Sequence, residues 1–299
     1  MRHQCGSAAG RFAPTPSGPL HFGSLLTAVA SYLDIKSKGG VWLLRIDDLD
    51  STRTNREHAI DILNVLSRHG LSSDAPAVWQ SERAALYSRA IERLRREAKI
   101  YQCTCSRKML KGVATYPGTC REARIQVAAN QSTRFVVPQQ EVCVEDEVQG
   151  RYCERLAASC GDFVVVRRDG FVAYHLATVL DDADMHVTRV VRGADLLASA
   201  PRQIALATAL GLRVPSFAHV PVVLDTRGHK ASKSLASTPL DAISDFEIKQ
   251  NLAACMQLLG LSPPRLAQHS PGSLLDWASK RFTLRRVPSV LTRSDFACL

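Results

Sequence analysis

Residues 11–24, RFAPTPSGPLHFGS, form a turn-rich stretch that leads into an apolar helical pattern. A helix that begins after such a loop offers free backbone N–H groups and the positive end of its dipole to a phosphate. Gly23 allows a flat ring to approach the backbone closely, and His21 can donate a hydrogen bond to a phosphate oxygen. About two hundred residues later, residues 229–234, HKASKS, predict a loop with two lysines that suits a polyphosphate losing charge. Together the two segments predict a nucleotide-activation site.

The pattern around the first segment predicts helices that alternate with short buried strands. Strands are predicted at residues 41–46, 187–192 and 220–224, and a helix is predicted to bury Ile60, Leu63 and Leu66 on one face. Such alternation favours an α/β fold in which helices cover a parallel sheet. Ligands of such sheets bind at the carboxyl ends of strands, where Asp47 falls.

The alternating pattern is interrupted once, in the middle of the chain. Four regions are predicted: 1–100, the first half of the parallel-sheet domain; 101–180, an inserted subdomain; 181–238, the second half of the parallel-sheet domain with the lysine loop; and 239–299, a helical C-terminal segment. The insertion is recognised by its clustered cysteines and by short strands.

Size and charge narrow the class of protein. A chain of 299 residues can bury a sizeable core and form roughly two domains. The formal net charge of +10 suits a polyanionic partner such as a nucleic acid. Charge alone is equally consistent with a basic soluble protein that binds no nucleic acid. Neither a signal peptide nor a membrane-spanning segment is recognisable, so we expect a cytoplasmic monomer with no membrane partner.

Nine cysteines, an odd number, argue against a disulfide framework and for a reducing compartment. Cys103 and Cys105 are one residue apart, and Cys120 follows at a distance that can close a loop. Thiolates favour tetrahedral Zn²⁺, and such sites are usually structural. Free cysteines in a reduced protein are the alternative. The remaining cysteines of the insertion, Cys143, Cys153 and Cys160, are interpreted as non-ligands.

The two phosphate-binding segments resemble the HIGH and KMSKS signatures of class I aminoacyl-tRNA synthetases, in the glutamyl/glutaminyl branch. The HIGH equivalent is residues 21–24, and the KMSKS equivalent is residues 230–234. The sequence PSGPLHFGS at residues 16–24 and the segment YPGTCR at 116–121 narrow the resemblance to short paralogues that act on tRNA(Asp). The resemblance extends from Arg11 to about Pro288. It implies a class I Rossmann-like core, an inserted zinc-containing α+β subdomain and a helical C-terminal segment.

The resemblance also assigns roles in ATP binding and catalysis. The implied ATP-binding residues are His21, Gly23, Ser24, Lys230 and Lys233, and the implied catalytic residues are His21, Gly23 and Lys233. Lys233 would stabilise the phosphoryl transition state, and Mg²⁺ would accompany the ATP. Ser24 stands where the family has a histidine, and because its hydroxyl still donates, we expect changed contacts but retained activity.

A second set of residues is implied for the amino acid. Glutamate is expected to contact Arg11, Phe12, Ala13, Pro14, Thr15, Asp47, Tyr174 and Arg192, with Arg11 and Arg192 reading its carboxylates. Asp47 stands where the family usually has Glu, so contact with the substrate ammonium would need a water or a small shift. A structural ion-pair cluster of Arg45, Asp47 and Arg192 is the alternative. For zinc, the resemblance supplies Tyr116 as the fourth ligand beside Cys103, Cys105 and Cys120, with water competing.

The function implied by the resemblance has two steps. L-glutamate is activated with ATP to glutamyl-adenylate without tRNA, and the glutamate is then transferred to queuosine at the wobble position of tRNA(Asp). About 65 residues follow the lysine loop, too few for an anticodon-binding domain. Two other functions stay open: a truncated glutamyl-tRNA synthetase that charges the 3′ end of tRNA(Glu), and a catalytically silent tRNA-binding module.

Overall fold

The computed structural model describes residues 8–123, 125–222, 240 and 244–291. The predicted lysine loop at 230–234 lies outside these residues. The strands are β1 Ala9–Phe12, β2 Val41–Ile46, β3 Val78–Trp79, β4 Ile100–Cys103, β5 Ser132–Phe135, β6 Val142–Asp146, β7 Gly150–Glu154, β8 Val164–Val166, β9 Arg189–Gly193 and β10 Ser216–Val220. The α-helices are α1 Phe22–Lys36, α2 Arg56–Arg68, α3 Ala84–Arg96, α4 Leu156–Ser159, α5 Tyr174–Asp184, α6 Ala200–Ala209, α7 Asp245–Leu258 and α8 Pro271–Ser279. None of the helices in the described ranges is long and apolar enough to cross a bilayer.

The described strands form one large and one small sheet. The large sheet has the order β3-β2-β1-β9-β10-β6-β7, in which all neighbours are parallel except β6 and β7. Strand β1 therefore lies between β2, which follows it closely in sequence, and β9, which follows only after the insertion. This change of direction in strand order is the point at which open parallel sheets bind ligands. The predicted α/β class with a mostly parallel sheet is confirmed.

Helix α1 connects β1 to β2 and begins at the edge where these strands end. The His21 side chain caps it by accepting a hydrogen bond from the Ser24 backbone N–H at 3.2 Å. Its apolar residues, among them Leu25, Leu26 and Val29, are completely or almost completely buried and join the core that also contains α7 and α8. The C-terminal helices thus pack on the helix whose N-terminus faces the candidate site.

The predicted insertion, residues 101–180, is divided between the two sheets. Strands β4, β5 and β8 form the small antiparallel sheet, while the hairpin of β6 and β7 extends the large sheet beside β10. A disulfide joins Cys143 to Cys153 across this hairpin. The sequence argument for reduced cysteines is therefore wrong at this pair, because facing positions on paired strands bring two thiols together regardless of the total number of cysteines.

Two local predictions are also corrected. Of the strand predicted at 220–224, only Val220 belongs to a described strand, Ser216–Val220, which ends before Pro221 because proline has no N–H to donate to a neighbouring strand. Residues 223 and 224 lie outside the described residues. On α2 the buried residues are Ala59, Ile62, Val65 and Leu66, whereas Ile60 is 48% exposed. Leu66 is buried as predicted and Leu63 packs partly buried against the core, so the predicted face is wrong only at Ile60.

Candidate active site

A cavity of about 380 Å³ opens at the carboxyl edge of the large sheet, where β1, β2 and β9 end. Its wall contains all residues predicted to bind glutamate and the described residues predicted to bind ATP: Arg11, Phe12, Ala13, Pro14, Thr15, Asp47, Tyr174 and Arg192, and His21, Gly23 and Ser24. Lys230 and Lys233 lie outside the described residues. Asp195, which no sequence argument selected, also lines the cavity.

The N-terminus of α1 forms one end of this cavity. The Nδ1 of His21 accepts from the Ser24 backbone N–H, and the Nε2 of His21 lies 3.2 Å from the Ser24 hydroxyl. A Cβ on Gly23 would lie 3.4 Å from the His21 ring, so glycine leaves room beside that ring. This end of the cavity combines a helix N-terminus, an imidazole and a hydroxyl, which are groups that bind phosphate oxygens.

A compact cluster of opposite charges lies under the floor of the cavity. Arg45 is fully buried and donates from Nε to Asp47 at 2.7 Å and from Nη1 to Asp182 at 2.5 Å. Arg11 donates from Nε to the same Asp182 oxygen at 3.0 Å. Burial raises the pKa of Asp47, whereas Arg11 and Arg45 outweigh burial at Asp182 and lower its pKa. These charges neutralise one another within the protein.

Arg192 differs from this cluster, although it is 5% exposed and equally close to the cavity. Its guanidinium donates to three neutral acceptors: His219 Nε2 at 2.9 Å, the Leu196 carbonyl at 3.3 Å and the Tyr174 hydroxyl at 3.5 Å. Among the described residues it forms no ion pair with a carboxylate, and burial lowers its pKa. A buried cation without a protein anion is electrostatically completed by an anionic ligand.

The structure therefore separates the three residues of the alternative ion-pair cluster. Arg45 and Asp47 form a buried ion pair, while Arg192 stands apart from them. Sequence reasoning missed two hydrogen-bond acceptors of these arginines: Asp182, which accepts from Arg45, and His219, which accepts from Arg192. Neither residue lies in a motif: Asp182 lies on α5 and His219 on β10, so both reach the site only through tertiary packing.

The four predicted zinc ligands meet at the end of β4, a strand of the small sheet. The sulfur atoms of Cys103, Cys105 and Cys120 all lie within 4.8 Å of one another and are buried. The Tyr116 hydroxyl lies 3.4 Å from Cys103 Sγ and 3.8 Å from Cys105 Sγ. Zn–S bonds of about 2.3 Å place two tetrahedral thiolates about 3.8 Å apart. The observed 3.5 Å between Cys105 and Cys120 is close to that spacing, so the residues fit a tetrahedral ion.

Two charged groups surround this cysteine cluster. Arg134 donates from Nε to Cys103 Sγ at 3.2 Å, and its guanidinium lies 3.6 Å from the centre of the Tyr116 ring. Asp162 binds Arg121 and accepts from the Tyr101 hydroxyl at 2.7 Å. Hydrogen bonds of this kind from outer residues orient the ligands of a metal site.

The sheet order, the cavity at its switch point and the helix N-terminus within it are the features of a nucleotide-binding α/β domain, and the family match shows that this one is a class I aminoacyl-tRNA synthetase catalytic domain. Residues 8–267 match the family described as tRNA synthetases class I (E and Q), catalytic domain. A protein from Pseudomonas syringae pv. tomato named glutamyl-Q tRNA(Asp) synthetase is 49% identical over 281 residues, 93% of this chain and 94% of that relative. One of the same name from Methylococcus capsulatus is 44% identical over 290 residues, 96% of this chain and 95% of that relative. The chain belongs to the glutamyl-Q tRNA(Asp) synthetase family.

Solved structures support the same fold. Glutamate-tRNA synthetase from Elizabethkingia anophelis superimposes with a TM-score of 0.79 at 23% identity, over 97% of this chain and 69% of that one. At that identity the similarity concerns the fold alone. The resemblance stated from the sequence motifs is confirmed by the family match and by the curated relatives.

Proposed function

We propose that this protein activates L-glutamate with ATP to form glutamyl-adenylate and transfers the glutamate to queuosine in tRNA(Asp). The names of relatives at 44% and 49% identity, which this chain covers almost completely, support the overall reaction. The observation that carries the amino-acid specificity is Arg192, a buried guanidinium that faces the cavity without a carboxylate partner among the described residues. An acidic side chain of the substrate supplies that partner.

The cavity divides into two ends that suit the two substrates. At the end built by the N-terminus of α1, His21 and Ser24 bind the phosphates and Gly23 admits the adenosine. At the other end, Arg192 and Tyr174 bind the side-chain carboxylate of glutamate. Arg11 contributes less charge there, because its Nε is already bound to Asp182. Asp47 attracts the substrate ammonium, either directly or through a water.

Activation needs more positive charge than the described part of the site supplies. Lys233 and Lys230, outside the described residues, provide it in this proposal, together with Mg²⁺ bound to the ATP. Lys233→Ala is therefore expected to abolish glutamate-dependent pyrophosphate exchange while the protein stays folded. Normal exchange by that variant would refute the role of Lys233.

The activation step is tested by ATP–pyrophosphate exchange without tRNA, using glutamate, aspartate and glutamine in parallel. Exchange with glutamate alone is expected, because Arg192 requires a carboxylate and the longer side chain reaches it. Exchange with glutamine equal to that with glutamate would contradict the proposed role of Arg192. No exchange with any of the three amino acids would contradict tRNA-independent activation.

The acceptor is tested separately with radiolabelled glutamate. Labelling is expected for tRNA(Asp) that carries queuosine, and none for tRNA(Asp) lacking it or for tRNA(Glu). The label should also survive removal of the 3′-terminal adenosine. Labelling of tRNA(Glu) at its 3′ end would instead identify a truncated glutamyl-tRNA synthetase.

The metal is proposed as one structural Zn²⁺ held by Cys103, Cys105, Cys120 and Tyr116. Bound there, zinc would join the end of β4 to the loop that contains Tyr116 and Cys120, and none of the four residues lines the cavity. Metal analysis of the purified protein should find about one zinc per chain. Cys105→Ser should lose it, whereas Cys160→Ser, at a partly exposed cysteine outside the cluster, should keep it.

A further inference from the structure

A buried histidine that is not part of the cavity wall accepts a hydrogen bond from Arg192. His219 on β10 pairs in register with Arg192 on β9 and is completely buried. The Nε of Arg192 donates to His219 Nε2 at 2.9 Å. A guanidinium has only donors, so Nε2 must be the unprotonated nitrogen of a neutral imidazole whose proton is on Nδ1.

The second ring nitrogen of His219 faces a carboxylate that selects this same tautomer. Asp146, at the end of β6, places Oδ2 at 2.6 Å from His219 Nδ1. Its other oxygen, Oδ1, accepts three backbone N–H groups, from His219 at 3.0 Å, Val148 at 3.1 Å and Gln149 at 2.9 Å. Despite burial, these hydrogen bonds lower the pKa of Asp146 to about 2, so it is ionised and only accepts.

Hydrogen bonds select the tautomer of His219, and packing against an aromatic ring restrains the plane of its imidazole. The Phe217 ring stacks on His219 with an interplanar angle of 10° and a centroid distance of 6.0 Å. The same Phe217 ring lies 5.4 Å from the Arg192 guanidinium. The guanidinium is therefore restrained on its Nε side by His219 and on one face by Phe217.

We propose that Asp146 and His219 are positioning residues for Arg192, a relay in which the carboxylate sets the histidine tautomer and the histidine fixes the guanidinium toward the glutamate side chain. The inference rests on the proposed function, in which Arg192 reads that carboxylate. It extends the site to the hairpin of β6 and β7, which no motif marks. A guanidinium free to rotate would bind the same anion less tightly, because binding would then have to order it.

Asp146→Asn is the sharpest test, because it preserves shape. The Asn carbonyl oxygen can still accept the three backbone N–H groups, which leaves its NH₂ facing His219 Nδ1. Nδ1 must then accept, the ring proton moves to Nε2, and two donors meet at Arg192. The KM for glutamate in pyrophosphate exchange is expected to rise about tenfold to hundredfold, with the KM for ATP unchanged.

A second pair of variants covers the case in which Asp146→Asn is poorly folded. His219→Gln can keep an acceptor near Arg192 Nε, whereas His219→Leu cannot, so the glutamine variant should retain more glutamate affinity. Asp34→Asn is the matched control, because Asp34 is an equally buried carboxylate bound to Arg189 at the opposite edge of the sheet. It should lower stability without raising the KM for glutamate.

The tautomer itself is read from the ¹⁵N chemical shifts of the His219 ring, which need no activity. Wild-type protein should carry the proton on Nδ1, and Asp146→Asn should carry it on Nε2. An Nε2–H tautomer in the wild type, or an unchanged KM for glutamate in Asp146→Asn with a moved proton, would overturn the relay. Absence of exchange in the wild type with the expected tautomer would contradict the proposed function while leaving the relay geometry supported.

Discussion

Two regions at the same edge of the large sheet surround a buried arginine with opposite kinds of partner, carboxylates in one and neutral acceptors in the other. Under the floor of the cavity, Arg45 is enclosed by Asp47 and Asp182, and Arg11 shares Asp182. In the wall, Arg192 is 5% exposed and has only neutral acceptors among the described residues. The pKa of Arg45 is raised because its carboxylate partners outweigh burial, whereas the pKa of Arg192 is lowered by burial.

This contrast separates charges that hold the fold from charges that serve the ligand. A buried ion pair is costly to break, because the remaining partner stays desolvated without compensation. A buried cation with no internal anion already carries that cost, which a bound anion relieves. The first kind of arginine should therefore be needed for stability, and the second kind for substrate affinity.

Removing Arg45 should have the largest effect on stability. Arg45→Met leaves Asp47 and Asp182 buried without their main counter-charge, so the free energy of unfolding should fall by about 3–5 kcal/mol. Urea denaturation at pH 7 measures this change. Arg151→Met, which breaks an exposed pair with Glu145, is the control and should cost less than about 1 kcal/mol. Similar losses in both variants would remove the distinction between the two regions.

Removing Arg192 should give the reverse pattern. Arg192→Met leaves the His219 acceptor unpaired but also removes a desolvated charge, so stability should change by less than about 1 kcal/mol. The KM for glutamate should rise roughly 150-fold, which corresponds to about 3 kcal/mol. Pyrophosphate exchange and urea denaturation on the same preparation provide both values. A large loss of stability with unchanged KM would make Arg192 a structural residue.

The regions also differ in how much of them the sequence could reveal. Residues 11–24 and 41–47 lie in continuous strand, loop and helix segments, so their position at one edge of the sheet follows from local pattern. Asp182, His219 and Asp146 come from three separate elements, α5, β10 and β6, and their meeting depends on tertiary packing. The hairpin that carries Asp146 was hidden inside the predicted insertion, because short alternating strands do not state which sheet they join.

The α2 face shows the same limit on a smaller scale. The pattern of large apolar residues predicted that Ile60 points inward, yet Ala59 does so and Ile60 is largely exposed. The helical period of apolar residues alone does not show which of two adjacent faces is buried when a small residue can pack closer to the core. The cysteine cluster was predictable because its residues are near in sequence, whereas the Cys143–Cys153 disulfide required the register of β6 and β7.

Lowering the pH should reduce the stability of the folded protein through two buried histidines near Arg192. His175, beside Tyr174, has its pKa lowered from 6.5 to about 4 by burial and by Arg202 and Arg192, and the pKa of His219 is also lowered by burial. The folded protein binds fewer protons there than the unfolded chain, so stability is full above pH 6.5 and is lost toward pH 4. The free energy of unfolding should drop by roughly 3 kcal/mol across that range. His175→Phe, which keeps the ring, should flatten the dependence measured by urea denaturation.

The smallest expected effect concerns Asp47, which belongs to the neutralised region but also lines the cavity. In Asp47→Glu, one carboxylate oxygen can stay on Arg45 while the extra methylene moves the other toward the substrate ammonium. Replacing a bridging water by direct contact should lower the KM for glutamate a few-fold, about 1 kcal/mol. The matched control is Asp48→Glu, whose carboxylate is held by Ser81 and which is absent from the cavity wall, and its KM should not change. An unchanged KM for glutamate in Asp47→Glu would show that the carboxylate serves Arg45 alone, and the boundary between the two regions would then lie at the cavity surface.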